Sequence, residues 1–262
     1  MPDTPDPTPR RTALVTGASR GIGRAVAVAL AGRGDRVAVH FGSDRSAGQE
    51  TLEMLAGEGH VLVGGDLTDD DVAQRVVGEA VVALGHLDVL VNNAAVAPSA
   101  ASHHRVDDVD FETWQRAWRS MVDVDLLAPA AVTYLVARSM IATGTAGAVV
   151  TIGSRGAYRG EPDHPAYGAA KAGLHAMGQS LALALAPHGI SVATVAPGFV
   201  ATERQDETLA GPRGDAVRAQ SPFGRVATPQ EVAEAVLYLT SPQAQWASGA
   251  VLDLNGASHL RP

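Results

Sequence analysis

Between the first apolar run of the chain, residues 12–16, and an amphipathic run from Arg24 to Leu30 stands Thr16-Gly17-Ala18-Ser19-Arg20-Gly21-Ile22-Gly23. Glycines at such a turn let the backbone bend sharply and come close to an anionic ligand, and the helix that follows offers free N–H groups and a partial positive charge. Strand, glycine turn and helix in that order open a βαβ unit able to hold a dinucleotide by its pyrophosphate. The candidate contact residues are Gly17, Ser19, Arg20, Gly21, Ile22 and Gly23. A tight strand-to-helix connection would also use glycine, but the turn's place at the head of the fold favours the dinucleotide.

The rest of the chain continues the alternation. Strand-like runs at 12–16, 36–41, 60–64, 87–91, 148–152, 191–195 and 250–254 interleave with helix-like runs that include 22–32, 69–84, 111–143, 165–186 and 229–240. No Pro/Ser-rich linker divides them. The expectation is an α/β, doubly wound Rossmann fold: a mainly parallel seven-stranded sheet with helices on both faces. It forms one domain over 12–262, after a flexible N-terminal arm at 1–11. Two stretches are longer than ordinary loops. Residues 97–110 hold His103, His104, Asp107, Asp108 and Asp110, but adjacent histidines without helical spacing read as solvated, so no metal site is expected. Residues 201–228 follow the carboxyl end of a strand and read as a lid.

Composition excludes several classes. The net charge of −8 comes without a basic stripe, so no nucleic-acid partner is expected. With no cysteine there is neither disulfide nor thiolate chemistry. Met1 to Arg11 lack the apolar core of a signal peptide, and no apolar run approaches the ~18 residues of a membrane span. A cytoplasmic protein without a membrane partner is the expectation.

Tyr167 and Lys171 are separated by one helical turn, and Ser154 stands at the end of an apolar strand-like run thirteen residues before the tyrosine. Residues at i and i+4 share a helix face. A phenol of pKa ~10 is a poor acid–base group at neutral pH, and a neighbouring ammonium would favour its phenolate. Phenol, ammonium and hydroxyl together are the minimum for moving a proton onto a carbonyl oxygen.

The chain at this point resembles the short-chain dehydrogenase/reductase family, in its single-domain, 3-oxoacyl reductase-like branch. The matching motifs come in order: Thr16-Gly17 through Gly23, Asp66-Leu67, Asn92-Asn93-Ala94-Ala95, Ser154, Tyr167 with Lys171, and Pro197-Gly198 through Thr202. The resemblance spans roughly residues 12 to 256. It implies that Asp66 and Leu67 meet the adenine, that Asn92, Asn93 and Ala94 lie beside the cofactor, and that Pro197, Gly198, Val200 and Thr202 meet the nicotinamide carboxamide. Tyr167 would be the proton donor, Ser154 would bind the substrate oxygen, and Lys171 would hold the nicotinamide ribose. Asp125 stands where the family usually has a catalytic asparagine, whose backbone carbonyl holds a water behind the lysine. A backbone role would survive that replacement; a side-chain role would not survive unchanged.

The usual acidic selector of a ribose 2′-hydroxyl falls on Phe41, where no carboxylate stands. Arg20 and Arg45, with Ser43, could instead receive a 2′-phosphate. NADP is therefore favoured, with NAD as the alternative that Asp44 supports. The expected reaction is hydride transfer between the nicotinamide and a ketone or secondary alcohol, a small-molecule carbonyl or alcohol substrate that includes 3-oxoacyl thioesters. A regulator that binds cofactor but is catalytically weakened through Asp125 is the second class. Tyr158, Arg155, Arg159, Glu161, His164, Phe199 and Arg204 are the candidate pocket residues. By the same resemblance, a homotetramer or homodimer assembles through 111–143, 165–186 and the C-terminal region.

Overall fold

A computed structural model describes residues 10–96 and 98–261, so most of the expected arm at 1–11 lies outside the described residues. Its elements run β1 (Thr12–Val15), α1 (Gly21–Gly32), β2 (Arg36–Phe41), α2 (Arg45–Glu53), β3 (Val61–Gly64), α3 (Asp70–Leu84) and β4 (Val89–Asn92). These are followed by α4 (Phe111–Val122), a π-helical turn (Asp123–Leu127), α5 (Ala128–Thr143), β5 (Ala148–Ile152), α6 (Gly156–Arg159), α7 (Pro165–Leu185) and β6 (Ser191–Pro197). The short helices α8 (Asp206–Ala210) and α9 (Gly214–Arg218) precede α10 (Pro229–Leu239) and β7 (Val251–Leu254).

The strands form one seven-stranded sheet in the order β3-β2-β1-β4-β5-β6-β7, and every pairing is parallel. Period-two alternation sends neighbouring strand residues into two cores. Ala13, Val15, Val89 and Val91 face α1 and α10, where Val26, Leu30, Val232 and Val236 are buried. Leu14 and Leu90 face the other layer, with Val76, Ala80, Val132, Val136 and Ala182 of α3, α5 and α7. Strand order reverses between β1 and β4, which opens a crevice at their carboxyl ends.

Local chemistry sets the helix starts on that crevice. Asp69 accepts from the N–H groups of Asp71 and Val72 to begin α3, and Thr228 with Glu231 forms a capping box for α10. Pro165 occupies the first turn of α7, and His104 Nε2 accepts from the Ala166 N–H at 3.0 Å. The sequence expectation of one helix over 111–143 is met with a difference, because the middle turn is π-helical. That composite helix is long and apolar enough by composition to cross a membrane, but Met121, Asp125, Ala128, Val132, Val136 and Met140 are buried within the protein.

Residues 201–228 are not a bare loop. They carry α8 and α9, and a parallel bridge between Val200 and Ala227 ties their two ends together.

Candidate active site

A cleft of ≈ 1570 Å³ runs over the carboxyl ends of the strands. Gly17, Ser19, Arg20, Gly21 and Ile22 line its floor, while Gly23 lies beneath the turn. Gly17 and Gly21 have φ of +62° and +55°, the left-handed region that glycine occupies without strain. A Cβ on Gly23 would fall 2.3 Å from the Gly17 carbonyl oxygen and 2.4 Å from Asn93 Nδ2, so the third glycine is required for packing. Asn93 Nδ2 donates to the carbonyls of Thr16 and Gly17, both at 3.0 Å, and Thr16 Oγ1 accepts from Asn93 N and Ala94 N at 2.9 and 3.1 Å. Arg20, at the N-cap of α1, is extended and supplies no side-chain cap. The first-turn N–H groups of α1 thus open on a backbone cradle that a Cβ would fill, which fits a pyrophosphate.

His40 was not among the sequence candidates. Its Nδ1 accepts from the Gly17 N–H at 3.1 Å and its Nε2 donates to the Gly65 carbonyl at 3.0 Å, which fixes the tautomer. A polar residue in an otherwise apolar strand run was the available signal.

Beyond the end of β2 the cleft is lined by Gly42, Ser43, Asp44, Asp66, Leu67 and Thr68. Asp66 Oδ1 accepts from the N–H and hydroxyl of Thr68 at 3.0 and 2.8 Å. Arg20 pairs with Asp44 at 3.4 Å, both exposed, and Asp44 also caps α2 through Ala47 N. Arg45 does not join them. Its guanidinium lies over the Phe41 ring at 5.9 Å and is absent from the cleft wall, because Phe41 packs where a Cβ on Gly64 would come within 2.1 Å of the ring.

The other end is built from Asn92, Ala94, Pro197, Gly198, Val200 and Thr202, with Ser154, Tyr167 and Lys171. Asn92 turns into the core and donates to Thr133 Oγ1 at 2.8 Å. Ser154 follows β5, and its Oγ accepts from Gly156 N at 3.0 Å beside the Tyr167 phenol. The Ser154 N–H donates to His175 Nε2 at 3.3 Å, and the ring of His175 lies against the bare Cα of Gly153. Lys171 is buried, with Nζ donating to the Ile152 carbonyl at 3.4 Å and standing 5.6 Å from the Tyr167 ring centroid. His175 lies four residues beyond Lys171, a helical spacing that marks it only once the lysine's role is known.

Burial is the largest influence on Tyr167 and holds its phenol well above its usual pKa; the Ser154 hydroxyl and Arg204 pull it down, while Asp125 and Glu161 push it up. The sequence argument has Lys171 lowering that pKa. In the protein alone desolvation wins, and the phenol keeps its proton.

Asp125, in the π-helical turn, is fully buried and outside the cleft wall. Its Oδ1 accepts from the Val96 N–H at 2.7 Å, and its Oδ2 has no partner among the described residues. Burial pushes its pKa up, against the pull of Lys171, the Val96 hydrogen bond and Arg204.

Of the candidate pocket residues, Arg155, Glu161, His164, Phe199 and Arg204 line the cleft, whereas Tyr158 and Arg159 do not. The histidines of 97–110 have structural partners: His103 bonds Asp108 at 3.0 Å, and His104 bonds the Ser102 carbonyl and Ala166.

A glycine cradle at the switch point and a serine–tyrosine–lysine group facing it define a dinucleotide-dependent oxidoreductase. The chain belongs to the short-chain dehydrogenase/reductase family. A family profile described as enoyl-(acyl carrier protein) reductase matches residues 17–259. L-rhamnose 1-dehydrogenase (NAD(P)(+)) of Sphingomonas sp. (strain SKA58) is 34% identical over 253 residues, covering 95% of this chain and 96% of the relative. Cis-4-hydroxycyclohexanecarboxylate dehydrogenase of Sinomonas cyclohexanicum is 37% identical over 248 residues, covering 94% and 95%. The 3-oxoacyl-[acyl-carrier-protein] reductase of Escherichia coli (strain K12) is 33% identical over 250 residues, covering 95% and 98%. The chain is thus an NAD(P)-dependent oxidoreductase, and these similarities lend no support to the regulator reading.

His175 is held neutral, with its pKa lowered to about 4, by burial first and then by the charges of Lys171 and Arg261. Burial also lowers His40 and His104. A histidine whose folded pKa lies below its unfolded value takes up its proton first in the unfolded chain. Stability therefore falls as pH drops from about 6.5 towards 4. His175→Gln, which keeps an acceptor for Ser154 N–H, should remove about 3 kcal/mol of that loss. Urea unfolding at a series of pH values reads it; an unchanged slope in the variant would show that His175 is not a buried neutral group.

Proposed function

We propose that this protein is an NADPH-preferring cytoplasmic dehydrogenase/reductase that interconverts a ketone and the corresponding secondary alcohol. The observation that carries the reading is the convergence of Ser154, Tyr167 and Lys171 on the cleft floored by the glycine turn. When bound, the nicotinamide supplies or takes up the hydride. In the reductive direction Ser154 donates a hydrogen bond from its hydroxyl to the carbonyl oxygen, and Tyr167 gives that oxygen its own proton. In the oxidative direction Tyr167 accepts the proton, helped by the nearby Lys171 ammonium. Lys171 is fixed by the Ile152 carbonyl and is placed to hold the nicotinamide ribose. Asp66 and Leu67 would meet the adenine, and Pro197, Gly198, Val200 and Thr202 the carboxamide.

The cofactor preference rests on Arg20. It lines the cleft beside Ser43, and its pairing with Asp44, at 3.4 Å between exposed side chains, is a weak one. Arg20 can therefore turn to a 2′-phosphate, and β2 ends on Phe41, not on a carboxylate. A 3-oxoacyl thioester is the second substrate reading, supported by the similarity to the acyl-carrier-protein reductase. One kinetic experiment tests function and preference together, with ketones and 3-oxoacyl thioesters offered alongside NADPH or NADH. NADPH should give the lower KM. Tyr167→Phe should lower kcat by about 10²–10⁴ with cofactor binding retained; near-normal turnover in that variant would remove the assignment.

Asp125 acts on Tyr167 through its charge and not by contact. Asp125→Asn keeps an oxygen to accept from Val96 N–H but removes the negative charge that raises the phenol's pKa. The acidic limb of the pH–rate profile for alcohol oxidation, where the phenol must have lost its proton, should move to lower pH in this variant. An unmoved profile would mean that the carboxyl only packs the helix turn.

Phe111, Leu127, Tyr134 and Leu183, on α4, the π turn, α5 and α7, are 72%, 54%, 65% and 82% exposed. Exposed apolar side chains on these helices support a homodimer, extended to a homotetramer through the C-terminal region 251–262, where Leu252 and Leu260 are exposed. Light scattering should give two or four times the chain mass, and a monomeric mass would contradict the assembly.

A further inference from the structure

The substrate half of the cleft is walled by arginines that form no ion pair among the described residues. From this we propose that the substrate carries a carboxylate in addition to the carbonyl or hydroxyl presented to Tyr167, and that Arg155 and Arg204 recognise it. The proposal rests on the dehydrogenase/reductase reading and narrows its substrate class.

Arg155 directly follows Ser154 and lines the cleft although it is only 4% exposed. Its guanidinium donates to Ser258 Oγ and to Gln220 Oε1, and it lies over the Phe199 ring at 5.1 Å. Both acceptors are neutral, and a guanidinium has five N–H donors to satisfy. Among the described residues no carboxylate comes within ion-pair distance of it. A charge taken out of water without a counter-charge is costly, and burial accordingly disfavours its charged form. Three separate segments nevertheless hold it rigid at the wall: the C-terminal stretch through Ser258, the lid through Gln220 and the segment after β6 through Phe199. A planar fork fixed in advance by neutral acceptors alone suits an incoming carboxylate.

Arg204 approaches from the lid. It lines the cleft, makes no ion pair or hydrogen bond among the described residues, and lies close enough to Tyr167 and Asp125 to favour the ionised form of each. An anion near the reacting oxygen would meet it there. Arg213, further along the same wall, is also unpaired among the described residues.

The acids of the cleft do not answer these charges. Asp163 pairs with Arg105 at 3.4 Å, Asp44 pairs with Arg20, and the Glu203 carboxylate lies over Gly21 in the cofactor half. Glu207 is exposed on the lid. Glu161 is close enough to feel Arg159 and Arg155 but stands outside ion-pair distance, and burial disfavours its charge. Two guanidiniums, one fixed in the wall and one on the lid, are left for the substrate.

The test compares matched pairs on the full chain with saturating NADPH: 4-oxocyclohexanecarboxylate against its methyl ester, and 3-oxobutanoate against its methyl ester, with the N-acetylcysteamine thioester of 3-oxobutanoate as a third arm. A charge-assisted contact predicts kcat/KM for an acid at least about tenfold above its ester. That ratio should fall towards one in Arg204→Gln, recover in part in Arg204→Lys, and fall in Arg155→Lys, which keeps the charge and loses the fork. Equal or better use of the esters or the thioester overturns the proposal while leaving the reductase reading standing. So does an acid-to-ester ratio that neither arginine changes. If no carbonyl compound is reduced and no alcohol oxidised with either dinucleotide, the reductase reading falls and this proposal falls with it.

Discussion

The contact on which the rest of the structure depends is the meeting of the first glycine turn with the end of β4. Gly23 and Gly17 approach Asn93 and Ala94 so closely that a Cβ on either glycine would overlap its neighbour. The Asn93 amide and the Thr16 hydroxyl then satisfy the backbone groups that the two diverging chains leave open. Buried backbone polar groups left unpaired would cost free energy at a point where the sheet has no ladder to offer. Because β1 and β4 are adjacent strands whose chains leave in opposite directions, this clamp sets both the floor of the cleft and the origin of the helix α1 that opens on it.

Histidines extend the same logic outwards. His40 joins the glycine turn to the loop after β3, His104 holds the first turn of α7, and His175 holds the backbone of Ser154. Each uses one ring nitrogen as an acceptor for a backbone N–H that no strand or helix would satisfy, so each must be neutral. The serine and the tyrosine thus reach the cleft from different elements, and both are positioned by imidazoles that burial keeps uncharged.

Much of this was legible in the sequence for definite reasons. Apolar runs of period two and amphipathic runs of period 3.6 mark strands and helices, and the parallel sheet follows from their alternation. The glycine spacing, and Tyr167 with Lys171 one turn apart, are local patterns, and the sequence retains them. The helix α2 was less visible, since Arg45–Glu53 buries only Gly48 and Thr51 and has little apolar stripe. Arg45 was misplaced for a related reason: its neighbour Phe41 fills the space over Gly64 and draws the guanidinium onto its ring, a contact between residues of three different elements. His40, His104 and His175 act through partners 23, 62 and 21 residues away, and such pairings leave no local trace.

Asp125 brings local and long-range determinants together. A straight α-helix over 111–143 would keep its hydrogen bonds in one register throughout, yet the chain widens to a π turn at Asp123–Leu127. Such a turn interrupts the regular ladder and re-aims side chains, which is how π-bulges come to mark functional positions. Here it directs a carboxylate into a buried site, where one oxygen holds the Val96 N–H of the loop beyond Asn93 and the other is left without a partner among the described residues. Burial alone would neutralise that group, while the Lys171 ammonium favours its charge. The two effects oppose each other on a group whose own charge raises the pKa of Tyr167. The π turn therefore couples the loop beyond Asn93 to the proton affinity of the Tyr167 phenol, and an amide at 125 would keep the first link while cutting the second.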